Sequence, residues 1–350
     1  MKSLTIAILL LLLCQSCGKG GGVWRASMDF GERALKEGRY VDAEKSFLIA
    51  LDEAEKFGED DERLTETLMT LANYHRNRNK FPRSKPYFER ALELRQRKLG
   101  MNDTLVVRDR NNLVELYYIL GDTAKVESLG VIAAEISQKV LGEHHLELAR
   151  LYRSMAKTYQ EEGKLNQADS LYNRALKILE KQTADVQSET VNILSEIAVL
   201  YHHSKRYAEA ESLYYRSLDL HEKLVGSGSP ELVSTLTSLA NLKSETGDFT
   251  IAESLYTRAL NNNSKRRSRS YFTKISLLHS LAKTCVAQGK FKKAGKHYKK
   301  ALELIDGSTG MHPELIEILD NYAELLIKLD NQTEAKDLKQ RALRLKTTLN

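Results

Sequence analysis

The sequence predicts an all-α chain built as an α-solenoid, a stack of about eight helix pairs. Three observations carry that expectation. Small residues recur at Ala50, Ala91, Ala133, Ala175, Ser217, Ala259, Ala301 and Ala342, at intervals of 41 or 42 residues. Within the intervals apolar residues return every three or four positions, as Leu148, Leu151, Tyr152, Met155 and Tyr159 do, which is the period of one helix face. Proline is scarce, with 4 in 350 residues, so little interrupts long helices. A hydrophobic content of 42% excludes a disordered chain, and 3 cysteines exclude a disulfide scaffold.

The first segment reads as an address rather than as structure. Lys2 precedes an apolar run over residues 4–13 that contains a single Thr. Crossing a bilayer core takes about 20 residues, so the run is too short to span but suits a signal-peptide core. It ends in Cys14-Gln15-Ser16-Cys17, followed by glycine-rich residues 18–22. These residues resemble a bacterial lipoprotein signal, with Cys14 departing from the Leu usual at that place. The resemblance implies a signal peptide over 1–16 and lipidation at Cys17; the glycines read as a flexible tether over 17–22, and the repeats occupy 23–350. A plain secretory signal and a redox Cys-x-x-Cys remain alternatives. The redox reading lacks the following helix that would activate a thiolate.

The repeats then follow in order. Gly38-Arg39-Tyr40-Val41-Asp42-Ala43 returns as Gly163-Lys164-Leu165-Asn166-Gln167-Ala168, as Gly247-Asp248-Phe249-Thr250-Ile251-Ala252 and as Gly289-Lys290-Phe291-Lys292-Lys293-Ala294. An aromatic residue comes four positions on, at Phe47, Tyr172, Tyr256 and Tyr298. Glycine, or Asn79, Lys205 or Asp330 in its place, is expected to close the first helix of each pair in the left-handed conformation. Small residues facing large ones let two helices approach closely, and a lone pair cannot bury such a stripe, so neighbours must stack.

These residues resemble a tetratricopeptide repeat. The 42-residue length narrows the likeness to kinesin-light-chain-like repeats, whose inter-repeat loop carries Leu-Gly-x-x-His-Pro. Leu141-Gly142-Glu143-His144-His145-Leu146 keeps all but the proline, and Met311-His312-Pro313 keeps the second half. The resemblance implies a right-handed solenoid whose first helices line a concave face, and a binding function in place of chemistry. The departures are local. The third repeat has Thr123, Val126 and Gly130 where neighbours have an aromatic, an alanine and an aromatic, which predicts a soft joint near 121–134, with drift in a tolerant array as the alternative. Gln332 and Lys339 replace aromatics in the eighth repeat, as a polar cap would. Pro82 and Pro86 require a helix to begin near Pro82, with Pro86 distorting its first turn.

Nothing in the motifs points to an enzyme, a metal or a cofactor. His-Glu-x-x-His and a nucleophile elbow are missing from the sequence. Adjacent His202 and His203 point about 100° apart on a helix, a poor geometry for sharing a metal. Cys285 occupies a helix-packing position and reads as a buried, inert thiol. The family resemblance instead places a peptide-binding groove at Asn73, Arg76, Arg108, Asn111, Tyr118, Arg150, Arg153, Lys157, Asn192, His202, Asn241, His279 and Lys283. Asparagines there can hydrogen-bond a peptide backbone, and arginines can grip carboxylates.

Charge supplies a second candidate surface. Residues 254–302 hold 13 Lys and Arg and no Asp or Glu, so the modest net +6 hides a remainder of −7. The block has two parts: the loop Lys265, Arg266, Arg267 and Arg269, and the helix carrying Lys292, Lys293, Lys296, Lys299 and Lys300. Anionic membrane headgroups or an acidic protein would suit it, whereas the export signal and the lack of interleaved aromatics argue against nucleic acid. The expected protein is a non-catalytic scaffold, exported and lipid-anchored in the bacterial cell envelope, at the outer membrane, and taking a protein or peptide ligand. A soluble cytoplasmic kinesin-light-chain-like adaptor is the alternative.

Overall fold

The computed structural model describes residues 21–182, 186–264, 271–307 and 312–349. The signal segment, Cys17 and most of the tether lie outside the described residues. So do Lys265, Arg266, Arg267 and Arg269. The chain is an all-α solenoid of helix pairs divided into two units, Met1–Lys181 and Gln182–Asn350.

The first unit pairs α1 (Gly22–Lys36) with α2 (Tyr40–Glu55), α3 (Glu62–Asn77) with α4 (Phe81–Leu99), α5 (Thr104–Ile119) with α6 (Thr123–Leu141), and α7 (Leu146–Glu161) with α8 (Leu165–Leu179). The second pairs α9 (Gln187–His203) with α10 (Tyr207–Val225), α11 (Val233–Glu245) with α12 (Phe249–Asn263), α13 (Tyr271–Ala287) with α14 (Phe291–Asp306), and α15 (Leu315–Lys328) with α16 (Gln332–Leu349). A 3-10 turn, Pro230–Leu232, leads into α11. Helix α1 takes in Gly22, the last residue of the expected tether.

Each pair closes as its sequence requires. The residue between the two helices is left-handed at all eight turns: Gly38, Asn79, Gly121, Gly163, Lys205, Gly247, Gly289 and Asp330 have φ between 56° and 87°. Five turns use glycine, for which this region carries no Cβ penalty. The other end of five first-helix segments is set by a side chain of the loop before each. Asp61, Asp103 and Ser229 accept the backbone N–H two residues on, and His145 Nδ1 and His312 Nδ1 do the same at 3.2 and 3.1 Å. The histidine of the loop signature is thus an N-cap, satisfying an otherwise orphaned donor.

The eight anchor residues are at most 1% exposed. Against them lie Phe47, Phe88, Tyr172, Tyr214, Tyr256 and Tyr298, at most 3% exposed, each burial contributing about 1.5–3 kcal/mol. Burial pushes the Tyr214 and Tyr256 hydroxyls up to about 12. The same arrangement repeats an ion pair from one repeat to the next. Glu44 meets Lys80 at 3.6 Å, Glu127 meets Lys164 at 3.4 Å, Glu211 meets Lys243 at 2.5 Å and Glu253 meets Lys290 at 2.7 Å. Each carboxylate follows the buried residue Ala43, Val126, Ala210 or Ala252 of a second helix; Lys80, Lys164 and Lys290 directly follow the turn residue of the next pair, whereas Lys243 reaches back from within α11.

The third repeat, where a soft joint is expected, keeps a continuous second helix. Helix α6 runs unbroken from Thr123 to Leu141, and the space beside buried Gly130 is filled by a neighbour. Met155 of α7 lies so close that a Cβ on Gly130 would stand 2.9 Å from its sulfur. The ring missing from the second helix is replaced by a flexible thioether from the next repeat. Helix α4 begins at Phe81 and continues through Pro86. At the last pair Gln332 and Lys339 are exposed as a cap needs, but Leu343 beside them is 62% exposed.

Candidate functional site

Three successive first helices of the first unit form a hollow of about 500 Å³. Each contributes polar groups to its walls because only one stripe of an amphipathic helix is needed for packing. Arg76 comes from α3, Asn111 and Glu115 from α5, and Glu147 and Arg150 from α7, while buried Leu116 and Leu151 supply apolar floor. Of the residues expected in the groove, the structure therefore brings Arg76, Asn111 and Arg150 together. The Arg76 guanidinium lies 5.5 Å from the Phe88 ring centroid, which orients it without consuming its donors. Arg150 meets Glu147 at 3.3 Å and is half-exposed.

The other expected positions in this unit border that hollow or lie beyond it. Asn73 is half-buried a turn before Arg76, and Arg108 is exposed near the start of α5. Tyr118 donates to Glu161 at 3.1 Å, with the Lys157 ammonium 5.7 Å from its ring centroid. Arg153 is half-buried. One role changes. Asn111 is only 5% exposed, and its amide exchanges hydrogen bonds with Ser137 at 3.0 and 3.2 Å, so it braces α5 against α6.

In the second unit several expected groove residues are engaged internally. His279 is 3% exposed; Nδ1 donates to Glu314 at 2.6 Å and Nε2 accepts from Asn321 at 3.1 Å. With both nitrogens satisfied it packs α13 against α15, and its hydrogen bond holds the Glu314 carboxyl below the usual range. Asn241 accepts from Tyr256, His202 donates to Glu245 at 3.0 Å, and Lys283 pairs with Glu317 at 3.0 Å. Asn192 is exposed. A sequence cannot separate such residues from true wall residues, because a first-helix position faces either the groove or the next repeat depending on small rotations.

The basic helix α14 divides in two. Lys290 at its N-cap and Lys293 both grip Glu253 of α12, a residue only 8% exposed, and Gln288 adds a third donor at 2.8 Å. The Lys290 hydrogen bond, then that of Lys293, draws the Glu253 carboxyl down to about 2. Lys292, Lys296, Lys299 and Lys300 stay exposed, with no ion pair among the described residues. Glu253 lies one position before the acid-free stretch and was missed for that reason. The recurrence of Glu44, Glu127 and Glu211 at equivalent places is the signal that would have found it.

Cys285 is fully buried and its thiol is pushed up by burial, as a packing residue should be. The His202 and His203 rings stand 6.2 Å apart, and among the described residues no group of His, Cys, Asp and Glu is placed to hold a metal. No helix among them is long and apolar enough to cross a membrane.

Comparison with known proteins gives the architecture its name. Tetratricopeptide repeat profiles match residues 103–181, 189–265 and 273–348, and a second tetratricopeptide repeat profile matches residues 64–104. Similar solved structures include BtubC of P. vanneervenii, with TM-score 0.58 and 23% identity over 67% of this chain and 94% of that one. A signal-transduction ATPase with a tetratricopeptide repeat sensor from Pyrococcus horikoshii aligns with TM-score 0.66 and 16% identity over 97% of this chain and 52% of that one. A putative kinesin light chain from Podosopora anserina aligns with TM-score 0.50 and 20% identity over 58% and 97%. At these identities the likeness is one of fold. No curated protein matches in sequence. The tetratricopeptide repeat fold suggests a protein–protein interaction scaffold, and with profiles over most of its length the chain belongs to the tetratricopeptide repeat family.

Proposed function

We propose that the protein is a non-catalytic scaffold of the bacterial cell envelope, anchored outside the cytoplasm by a lipid on Cys17, which captures a protein or peptide in its first unit. The observation that carries the binding part is the hollow between α3, α5 and α7. Its apolar floor at Leu116 and Leu151 can bury a side chain, while Arg76 and Arg150 stand at the walls as carboxylate-gripping donors. The export part rests on the apolar run before Ser16-Cys17. The basic helix adds a surface for an anionic partner, which would hold the scaffold in a second place.

Two measurements test the two parts separately. Intact mass of the mature N-terminus is expected to show an acylated Cys17; an intact Met1 would sink the anchor and support the soluble adaptor instead. Crosslinking in native cells is expected to join a partner to the α3–α5–α7 face. Replacing Arg76 and Arg150 together by Glu should lower that yield at least tenfold, because a gripped carboxylate then meets like charge. Unchanged yield would remove the hollow as the binding site.

A further inference from the structure

We infer that the outer face of α14 is an electrostatic docking surface for an anionic phospholipid bilayer, an inference that rests on the envelope reading above. Lys292, Lys296, Lys299 and Lys300 fall within about 100° of one another around the helix and span about 12 Å along it. All four are exposed and lack an ion pair among the described residues. The basic residues bordering them are neutralised: Lys290 and Lys293 by Glu253, Arg258 by Glu222 at 2.7 Å, and Arg341 by Asp306. The four lysines therefore repel one another at the surface with no internal compensation, an arrangement that lowers folded stability and gains only when an external anion arrives.

Width separates a bilayer from an acidic protein. A short acidic peptide needs only the lysines, whereas a plane of headgroups also gains from a neighbouring surface that presents no carboxylate. Residues 254–302 contain none, and α12 next to the stripe exposes Ile251, Ser254, Thr257 and Asn261. Glu303 and Asp306, both exposed, close the stripe at its C-terminal edge, and α16 beyond it carries exposed Glu334 and Asp337, so the carboxylate-free surface extends on the α12 side. The composition points the same way. Lysine is depleted in protein–protein interfaces, whose affinity is concentrated in aromatic and arginine anchors, and the stripe on α14 before Glu303 exposes lysines with no aromatic or arginine anchor. The contact would be purely electrostatic, without insertion, and weakened by salt.

The test uses the full chain carrying Cys17→Ala, which cannot be acylated, so that binding reports the surface and not the anchor. Flotation is measured with phosphatidylcholine vesicles and with vesicles that also contain phosphatidylglycerol. Three proteins are compared: this chain, the same chain with Lys292, Lys296, Lys299 and Lys300 changed to Gln, and a control with exposed Lys45, Lys125, Lys139 and Lys177 changed to Gln. The two variants carry equal net charge, and circular dichroism checks their folding. Phosphatidylglycerol should increase partitioning of the first protein and the control, reversibly by salt. Each lysine near an anionic surface is worth roughly fivefold in partitioning, so the α14 variant should lose several hundredfold. Equal losses in the two variants, or no dependence on phosphatidylglycerol, would overturn the inference. So would an acidic envelope protein crosslinked to these lysines while the vesicles stay unbound, which would assign the face to a protein. Each failure leaves the acylation of Cys17, read by mass in the unsubstituted chain, as a separate result.

Discussion

Two buried helical glycines are predicted to respond oppositely to the same substitution. A Cβ on Gly31 of α1 would stand 2.4 Å from the buried Phe47 ring, which has no room to move. Gly31→Ala should destabilise by about 1–3 kcal/mol through overpacking, read as a lower urea midpoint. On Gly130 the obstacle is the end of the Met155 side chain, which can swing, and alanine gains up to about 1 kcal/mol of helix propensity. Gly130→Ala should therefore be neutral or stabilising; a loss as large as that at Gly31 would refute the filling by Met155. Glu253 gives a pH signature. Its carboxyl sits at about 2 when paired, against 4.5 when free, so folding favours the ionised form. That contribution is complete above about pH 5 and is lost as pH falls from 4.5 toward 2. Glu253→Gln should cost about 1 kcal/mol at neutral pH, and its difference from the parent should vanish on acidification. A constant difference across that range would exclude the ionic origin.

Helix α6 shows what an element owes to its neighbour. Its own sequence, with Val126 and Gly130 at packing positions, reads as weak, yet the third repeat is closed by a residue 25 positions away in α7. Met155→Ala removes that filler and should cost about 2–5 kcal/mol while raising hydrogen exchange in α6 above that of α8. Exchange unchanged by the substitution would show that Gly130 had never depended on it. The turns and helix ends were legible without neighbours: Asn79, Lys205 and Asp330 stand in the left-handed turns the repeat register assigns to them. Capping by His145 and His312 was not, because a histidine in a loop motif does not declare whether its ring faces solvent or its own backbone.

Within each unit, stability is a sum over neighbouring pairs, since a pair is covered by the pairs beside it. Helix α16 closes the last of them, placing Ala335 and Ala342 in the cluster that holds Tyr322 and Leu326 of α15. Ending the chain at Asn331 should uncover that stripe, giving dye binding and lower solubility; full solubility with an unchanged melting temperature would deny α16 its role. The sequence by itself determined the repeat length, the helix pairing, the buried anchors and the acid-free block, because backbone periodicity and charge count depend on residue type and spacing alone. Only the tertiary structure decided that Met155 fills the third repeat, that Asn111 and His279 serve packing while Arg76 and Arg150 line a hollow, and that Glu253 neutralises two lysines and leaves four. Those outcomes depend on which side chains meet across helices far apart in the chain, and a few degrees of helix rotation settle whether a polar group faces a neighbour or the solvent.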